Sequence, residues 1–400
     1  MRGLAPYTAI MHDPTPRQRH HQIDQTAPAA PIAAGLPSDD LVDAAGSFFP
    51  GASAVAEMPG RGDLAIVEDG GRRWRLRRWP VTATAERLHL VHRLLGRAHD
   101  EGVSALPTVA SLPGTTGDTV LRRAGALYDA QMWPAGASLA PDGLDLPSPV
   151  SSDLLREVAR TVARVHQATE QLADEPGVPA LPLGAIVAAV HDTWNDQRER
   201  LRPVAPTTPP VQRWLRVGER ALPAVAETLD RADDALKETS VVIHADLWPY
   251  RVVAPSDRLV ALIGWDGATA GSPLLDIAQL VTHLGGWHAE RAEEVLAAYH
   301  TVRPLPPELR RLLPAVAALD LVAVAGRALN AGYRRRADGV PPPHGARAGA
   351  EALVASLEAV TRVVEAGDRP TKPMARRWER GPRRSAGAAG RRSTRPAREP

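Results

Sequence analysis

The stretch from Ser240 to Asp276, SVVIHADLWPYRVVAPSDRLVALIGWDGATAGSPLLD, gathers the residues of this chain best suited to chemistry. Val241, Val242 and Ile243 form an apolar run that leads into His244, Ala245 and Asp246. Val252-Val253 follow a polar turn, and a further apolar run, Leu259 to Ile263, follows Pro255-Ser256-Asp257. This pattern predicts strand, loop, strand, turn, strand. An acid just past a strand, such as Asp246, can serve a site or cap a turn. Arg251, Asp266 and Asp276 lie close behind it in the chain.

His244, Asp246, Ile263, Trp265, Asp266, Asp276 and Ala278 stand at spacings that resemble the aminoglycoside phosphotransferase and choline kinase family. The pattern there is H-G-D-x-H-x-x-N, a hairpin, I-D-[WF]-[DE], then D-x-A. Two positions depart from it. Arg251 stands at the family's metal-binding Asn, and Gly264 at its metal-binding Asp. The amino-terminal half is similar more loosely, through Trp74 to Pro80, a helix with Glu86 and His92-Arg93-Leu94-Leu95, then Gly102-Val103 and Met132-Trp133-Pro134-Ala135-Gly136. The resemblance implies a two-lobed protein-kinase-like fold of the α+β class. A small β-rich lobe with one main helix spans 38–136, and a larger, mostly helical lobe spans 137–366. The implied activity is ATP-dependent phosphorylation of a small-molecule hydroxyl.

Phosphoryl transfer is mainly positioning and charge neutralisation. The resemblance places Asp246 at the acid facing the acceptor hydroxyl, Arg77 at the cation on the phosphates, Glu86 as the partner of Arg77, and Met132 in the nucleotide site. No lysine precedes Lys237, so an arginine must supply that cation. Arginine keeps the charge but brings a forked geometry. Glu86 also suits the first turn of its helix, where the dipole favours an acid. Strand alternation puts Arg75, Arg77 and Trp79 on one face and Leu76 and Arg78 on the other, without saying which face meets the site. Magnesium takes hard oxygen ligands. Arg251 has no acceptor atom and Gly264 no side chain, so no intact metal site is expected, and Asp266 is the possible substitute ligand. Arg251 could instead neutralise phosphate directly. Two readings stay open: a phosphotransferase with impaired magnesium binding, and a pseudokinase that binds a ligand or scaffolds without turnover. The resemblance implies that His244 bonds the loop backbone and that Asp276 accepts backbone donors near the loop or caps its helix.

The rest of the chain must position these residues. Ser38-Asp39 can cap a helix, and Thr82 or Thr84 another over 85–101 with Leu88, Val91, Leu94 and Leu95 on its apolar face. Strands are expected at 53–57, 64–68 and 74–79, with a hairpin at Glu68-Asp69-Gly70-Gly71, and at 108–112, 119–122 and 127–133. Pro59-Gly60-Arg61-Gly62 reads as a loop over phosphates or as a plain hairpin turn. Helices are expected at 152–170, 184–202, 211–237, 274–284, 289–300, 307–335 (broken at Pro314) and 346–366.

Composition narrows the function classes. The 400 residues are 44% hydrophobic with a net charge of +2, which argues against a chain built mainly for nucleic acid. With no cysteine, disulfides and thiolate metal sites are excluded. No run of about 18 apolar residues suggests a membrane span, and the first residues lack a signal-peptide pattern. A cytoplasmic protein with no membrane partner is expected. Residues 1–37 and 367–400 read as disordered, and scattered His12, His20 and His21 are not expected to bind metal. The basic tail could touch nucleic acid or anionic surfaces by charge alone, although a solvated tail is favoured. Deleting 1–37 and 368–400 should leave the melting temperature nearly unchanged in calorimetry, because neither end can bury much apolar surface. A fall of more than a few degrees would show that an end docks on the core.

Overall fold

Period-two alternation shapes the first lobe. The computed structural model describes residues 38–366 except 59–60, 137, 140–149, 233–238 and 334–344. Both expected disordered ends, the three tail histidines, the basic tail and the Pro59-Gly60 turn lie outside the described residues. The chain divides into units Met1–Glu365 and Ala366–Pro400, and every described element lies in the first.

Helix α1 (Asp39–Phe48) precedes strands β1 (Ala54–Met58), β2 (Arg61–Asp69) and β3 (Arg72–Arg78). Helix α2 (Ala85–Asp100) is followed by β4 (Leu121–Arg123) and β5 (Ala126–Met132). The strands form one antiparallel sheet in the order β1-β2-β3-β5-β4. Ala65, Val67, Trp74, Leu76, Tyr128 and Ala130 form one apolar face, packed on Leu41, Ala44, Ala45 and Phe48 of α1. Phe49 adds its ring 5.1 Å from that of Trp74. The opposite face carries Arg75, Arg77, Asp129 and Gln131 toward α2 and the second lobe. Thr84 caps α2, its hydroxyl accepting from Arg87 N at 3.2 Å. The strand expected at 108–112 is reduced to a single bridge, Val109 to Gln131, because Pro107 and Pro113 flank a run too short to make a ladder.

The second lobe is built on helices: α3 (Ser152–Ala168), α4 (Leu183–Leu201), α5 (Pro209–Asp230), α6 (Pro273–His283), α7 (Ala289–His300), α8 (Pro307–Tyr333) and α9 (Ala346–Glu365). Between α3 and α4 lies the short strand β6 (Ala180–Leu181). Between α5 and α6 lie β7 (Val241–Ile243), β8 (Val252–Val253), β9 (Ala261–Leu262) and β10 (Thr269–Gly271). Strands β8 and β9 pair as a hairpin, while β10 lies between β6 and β7. The small β6–β10–β7 sheet was not anticipated, since runs of two or three residues carry no period.

Helix α8 is the axis of this lobe, with α4, α5, α6 and α9 around it. It is long and apolar enough to cross a membrane, yet 89% of its most apolar window is buried inside the protein. It also runs through Pro314 without the expected break. Leu312, Leu313, Ala315 and Val316 are buried on both sides of the proline, and that packing offsets the lost backbone bond. Trp214 of α5 is fully buried and donates its indole N–H to Val322 O of α8 at 3.0 Å. Trp194 of α4 packs beside it, ring centres 4.2 Å apart and planes tilted by 50°, and closely approaches Gly218. A methyl group at 218 would stand 2.3 Å from the Trp194 ring. Gly218→Ala should therefore cost about 1–3 kcal/mol by overpacking, read as an earlier denaturant midpoint. An unchanged midpoint would mean that the two tryptophans can shift freely.

Candidate active site

Asp276, in the first turn of α6, holds the loop after β7 in place. It is fully buried. Its Oδ2 accepts from His244 N at 2.7 Å and from the His166 ring at 3.0 Å, and its Oδ1 accepts from Ala245 N at 2.8 Å. Burial works to raise its pKa, but His166 and the loop donors pull it below the usual carboxylate range. Gln279, one turn on, accepts from Leu247 N at 2.8 Å. His244 accepts from Asp246 N on Nδ1 at 3.2 Å and faces Ile263 O with Nε2 at 3.0 Å. That pattern needs the neutral ring with its proton on Nε2, and burial lowers the His244 pKa accordingly. The two histidine nitrogens thus tie the loop to Ile263, the residue between β9 and Gly264.

Asp246 leaves this loop with its carboxylate in the cleft. Its Oδ2 accepts from Arg251 Nε at 3.1 Å and Nη2 at 2.6 Å. Burial would push the Arg251 guanidinium down, but Asp246, Tyr250 and Asp266 raise it. Tyr250 sits against the same pair, its hydroxyl pushed up to about 12 chiefly by burial. Gly264 lies in the left-handed region at φ +82°. A Cβ there would stand 2.1 Å from Arg251 Nη1 and 2.5 Å from its Cζ. The guanidinium of Arg251 occupies the space that a side chain at 264 would need.

Asp266, two residues on, turns toward the first lobe. Its Oδ2 accepts from Arg77 Nη1 at 2.5 Å, and its carbonyl accepts from Arg87 Nε at 3.1 Å and Nη2 at 2.6 Å. Burial alone would raise the carboxyl, but Arg77, Arg75 and Arg251 bring it down to about 2. Arg75 lies on the same strand face as Arg77, with Nη2 donating to Gln131 Oε1 at 2.9 Å. Below the sheet, Met58, Leu64 and Ile66 cluster with Trp133. The cleft therefore has an apolar wall, a row of arginines and one acid on the loop.

A loop acid held by a buried aspartate, between a five-stranded sheet and a helical lobe, is the arrangement that the sequence led us to expect. Residues 64–319 match the family model described as "Phosphotransferase enzyme family". The chain belongs to this family. An aminoglycoside phosphotransferase from Alicyclobacillus acidocaldarius superposes with a TM-score of 0.58 at 15% identity, over 84% of this chain and 97% of that one. A microcompartment-associated aminopropanol kinase gives 0.55 at 15% identity, over 82% and 98%. An amicoumacin kinase solved with AMP-PNP and Ca2+ gives 0.50 at 13%, over 83% and 94%. At these identities the likeness establishes the α+β kinase-like fold. No curated protein matches the sequence.

The residues present do not fit the magnesium that this family implies. The position facing Asp246 is filled by a guanidinium, residue 264 offers no ligand atom, and Asp266 spends Oδ2 on Arg77, which leaves its Oδ1 as a lone oxygen beside three arginines. Among the described residues, no group of three His, Cys, Asp or Glu could hold a metal ion. The donors and the apolar wall do suit a phosphate-bearing ligand. Arg75 and Arg77 would meet phosphate oxygens, and Met58, Leu64, Ile66 and Trp133 would meet a base.

Of the residues singled out in the sequence, the structure brings Asp246, Arg251, Gly264, Asp266 and Arg77 into one cleft. Glu86 is not there. It is exposed at the head of α2, its pKa lowered by its own backbone N–H and by Thr84, and Arg77 takes Asp266 as partner instead. Met132 is turned to the α1 side of the sheet, beside Trp74, and its neighbour Trp133 holds the cleft side. Arg87 was missed. A cation four residues before Val91 and seven before Leu94, on the otherwise apolar face of α2, was the available signal.

The Asp266 carboxyl, depressed in the folded protein, gives a pH test. Its contribution is complete above its unfolded value, about 3.9, and is lost as pH falls toward 2. The stability gap between the unmodified protein and Asp266→Asn, read by denaturant titration, should be constant above about pH 4. It should close on approaching pH 2. A gap that persists at the acid end would show that Asp266 acts through something other than its charge.

Proposed function

We propose that this phosphotransferase-family chain binds a nucleotide, ATP by family likeness, in the interlobe cleft. Guanidinium groups stand where the divalent metal would be, and turnover is very low or absent. The observation that carries this reading is Arg251, which bonds Asp246 and fills the place of a side chain at 264. Magnesium would supply charge neutralisation between phosphates when bound. Here Arg251 and Arg77 supply positive charge from fixed positions, without the octahedral oxygen ligands that a metal needs. Asp246, which would orient an acceptor hydroxyl, already has Oδ2 engaged by Arg251. The protein on this reading is a pseudokinase that holds a ligand. The second reading is slow phosphorylation of a small-molecule hydroxyl with a guanidinium in the metal's role; the retained Asp246 in the cleft favours it.

Calorimetry with ATP in EDTA and in magnesium tests this directly. Binding should be weak and alike in both buffers, and turnover with aminoglycoside or amino-alcohol acceptors should fall far below the roughly 1–100 per second of ordinary kinases. Gly264→Asp alone should not restore magnesium dependence, because the new Cβ collides with Arg251. Arg251→Asn together with Gly264→Asp should bring back magnesium-dependent binding, a non-additive result for two residues that serve one ion. Ordinary turnover by the unmodified protein, or a double variant indifferent to magnesium, would sink the proposal.

A further inference from the structure

Positive charge in the cleft gathers at one residue. Arg77 and Arg87 reach Asp266 from two different elements of the first lobe, one at its carboxylate and one at its carbonyl. Arg75 stands beside Arg77 on the same face of β3. The neighbouring acids are committed elsewhere. Asp246 meets Arg251, Asp63 meets Arg61 at 3.0 Å, and Asp129 accepts from Trp79 Nε1 at 2.8 Å and Gln131 Nε2 at 3.0 Å while facing His92 at 3.0 Å. Asp266 is the carboxylate bonded directly to this group of three guanidiniums, with Asp63 and Asp129 acting on Arg77 and Arg75 only at longer range.

That arrangement is incomplete in hydrogen bonds as well as in charge. Arg77 Nε and Arg87 Nη1 are buried without an acceptor, and Asp266 Oδ1 is buried without a donor. Buried polar groups are seldom left so unless a water, an ion or a ligand completes them. Two unfilled donors on two guanidinium forks call for an anion with several acceptor oxygens.

Resting on the reading that guanidinium groups replace the metal, we infer that the cleft is a metal-free site for a phosphate monoester dianion. Arg75, Arg77 and Arg87 hold it, and Asp266 is the internal anion it displaces from Arg77. A monoester carries about −1.5 to −2 at neutral pH, which the three guanidinium groups can offset once Asp266 swings away from Arg77. Its three terminal oxygens accept from more than one fork at once. A triphosphate brings more charge than these groups offset, and in phosphoryl transfer that excess is met by metal ions bridging its oxygens. The ligands for such ions are missing here. On this account the bound species resembles a phosphorylated product or a nucleoside monophosphate more than a phosphate donor.

The experiment is calorimetry on the full chain with adenosine monophosphate, glycerol phosphate and inorganic phosphate, each in EDTA and in magnesium. At least one ester should bind with the same affinity in both buffers, more weakly as salt rises. Binding of the nucleotide alone would assign a nucleoside monophosphate, and binding of both esters the phosphate group itself. Arg87→Gln should weaken binding on the order of tenfold to a hundredfold, and Asp266→Asn should tighten it, since one competing anion is removed. Thermal melts accompany both variants. If Arg87→Gln fails to fold, Asp266→Asn decides alone. No ester binding, binding of inorganic phosphate only, an Arg87→Gln titration like that of the unmodified protein, or weaker binding by Asp266→Asn would each overturn the inference. These failures are distinct from failure of the proposed function. Magnesium-dependent turnover of ATP would overturn that reading, whereas absent ester binding beside magnesium-indifferent ATP binding would overturn only this one.

Discussion

A single buried carboxylate, Asp276, is the constraint on which the cleft depends. An ionised carboxylate out of water is costly unless donors surround it. Here three donors converge, from two successive loop residues and from His166 of α3. The helix dipole at the start of α6 adds to them. For two adjacent backbone N–H groups to point at one carboxylate, the chain must curl, and Ala245 takes φ +62° to do so. A residue with a Cβ is strained in that conformation. Glycine would adopt this backbone without strain, so an alanine here carries a cost. Asp276 is what holds it, and the curl sends the Asp246 side chain into the cleft.

The departures at 251 and 264 are one physical change seen at two positions. A guanidinium at 251 needs room, and the room exists because residue 264 has no side chain. A side chain at 264 would in turn be strained by its left-handed backbone as well as blocked by Arg251. Neither residue is at ease without the other. The two are sterically complementary, since the guanidinium of one fills the space beside the bare Cα of the other. The positive charge at this point is a covalently fixed guanidinium, bonded to Asp246, and it cannot dissociate.

Much of this was legible because the decisive residues are local in sequence. His244, Asp246, Arg251 and Gly264 lie within one strand-loop-strand unit, where spacing alone places them. Helix spans were readable from apolar periodicity, with Thr84 and the Asp69-Gly70-Gly71 turn marking boundaries. What failed depended on long-range packing. Strand alternation separates Met132 from Trp133 but does not say which face meets the second lobe; α1 settles that by covering one face with Leu41 and Phe48. Glu86 was plausible as a partner for Arg77 until Asp266, 189 residues from Arg77 in the chain, proved nearer. Pro314 looked like a break because local rules price the lost bond and cannot price the burial around it.

The near-absence of lysine gives the cleft its character. A buried lysine readily loses its proton, because its ordinary pKa is close enough to neutrality for burial to carry it there. Burial lowers Arg75 and Arg87 too, but arginine starts so far above neutrality that both stay charged. A cleft lined by arginines can therefore stay positive while partly buried. The straps from Arg77 and Arg87 to Asp266 draw the two lobes together over those charges. Closing a cleft over lysines would tend to discharge it. Closing one over arginines concentrates a field that water screens less than at an open surface, and this makes a metal-free anion site physically tenable.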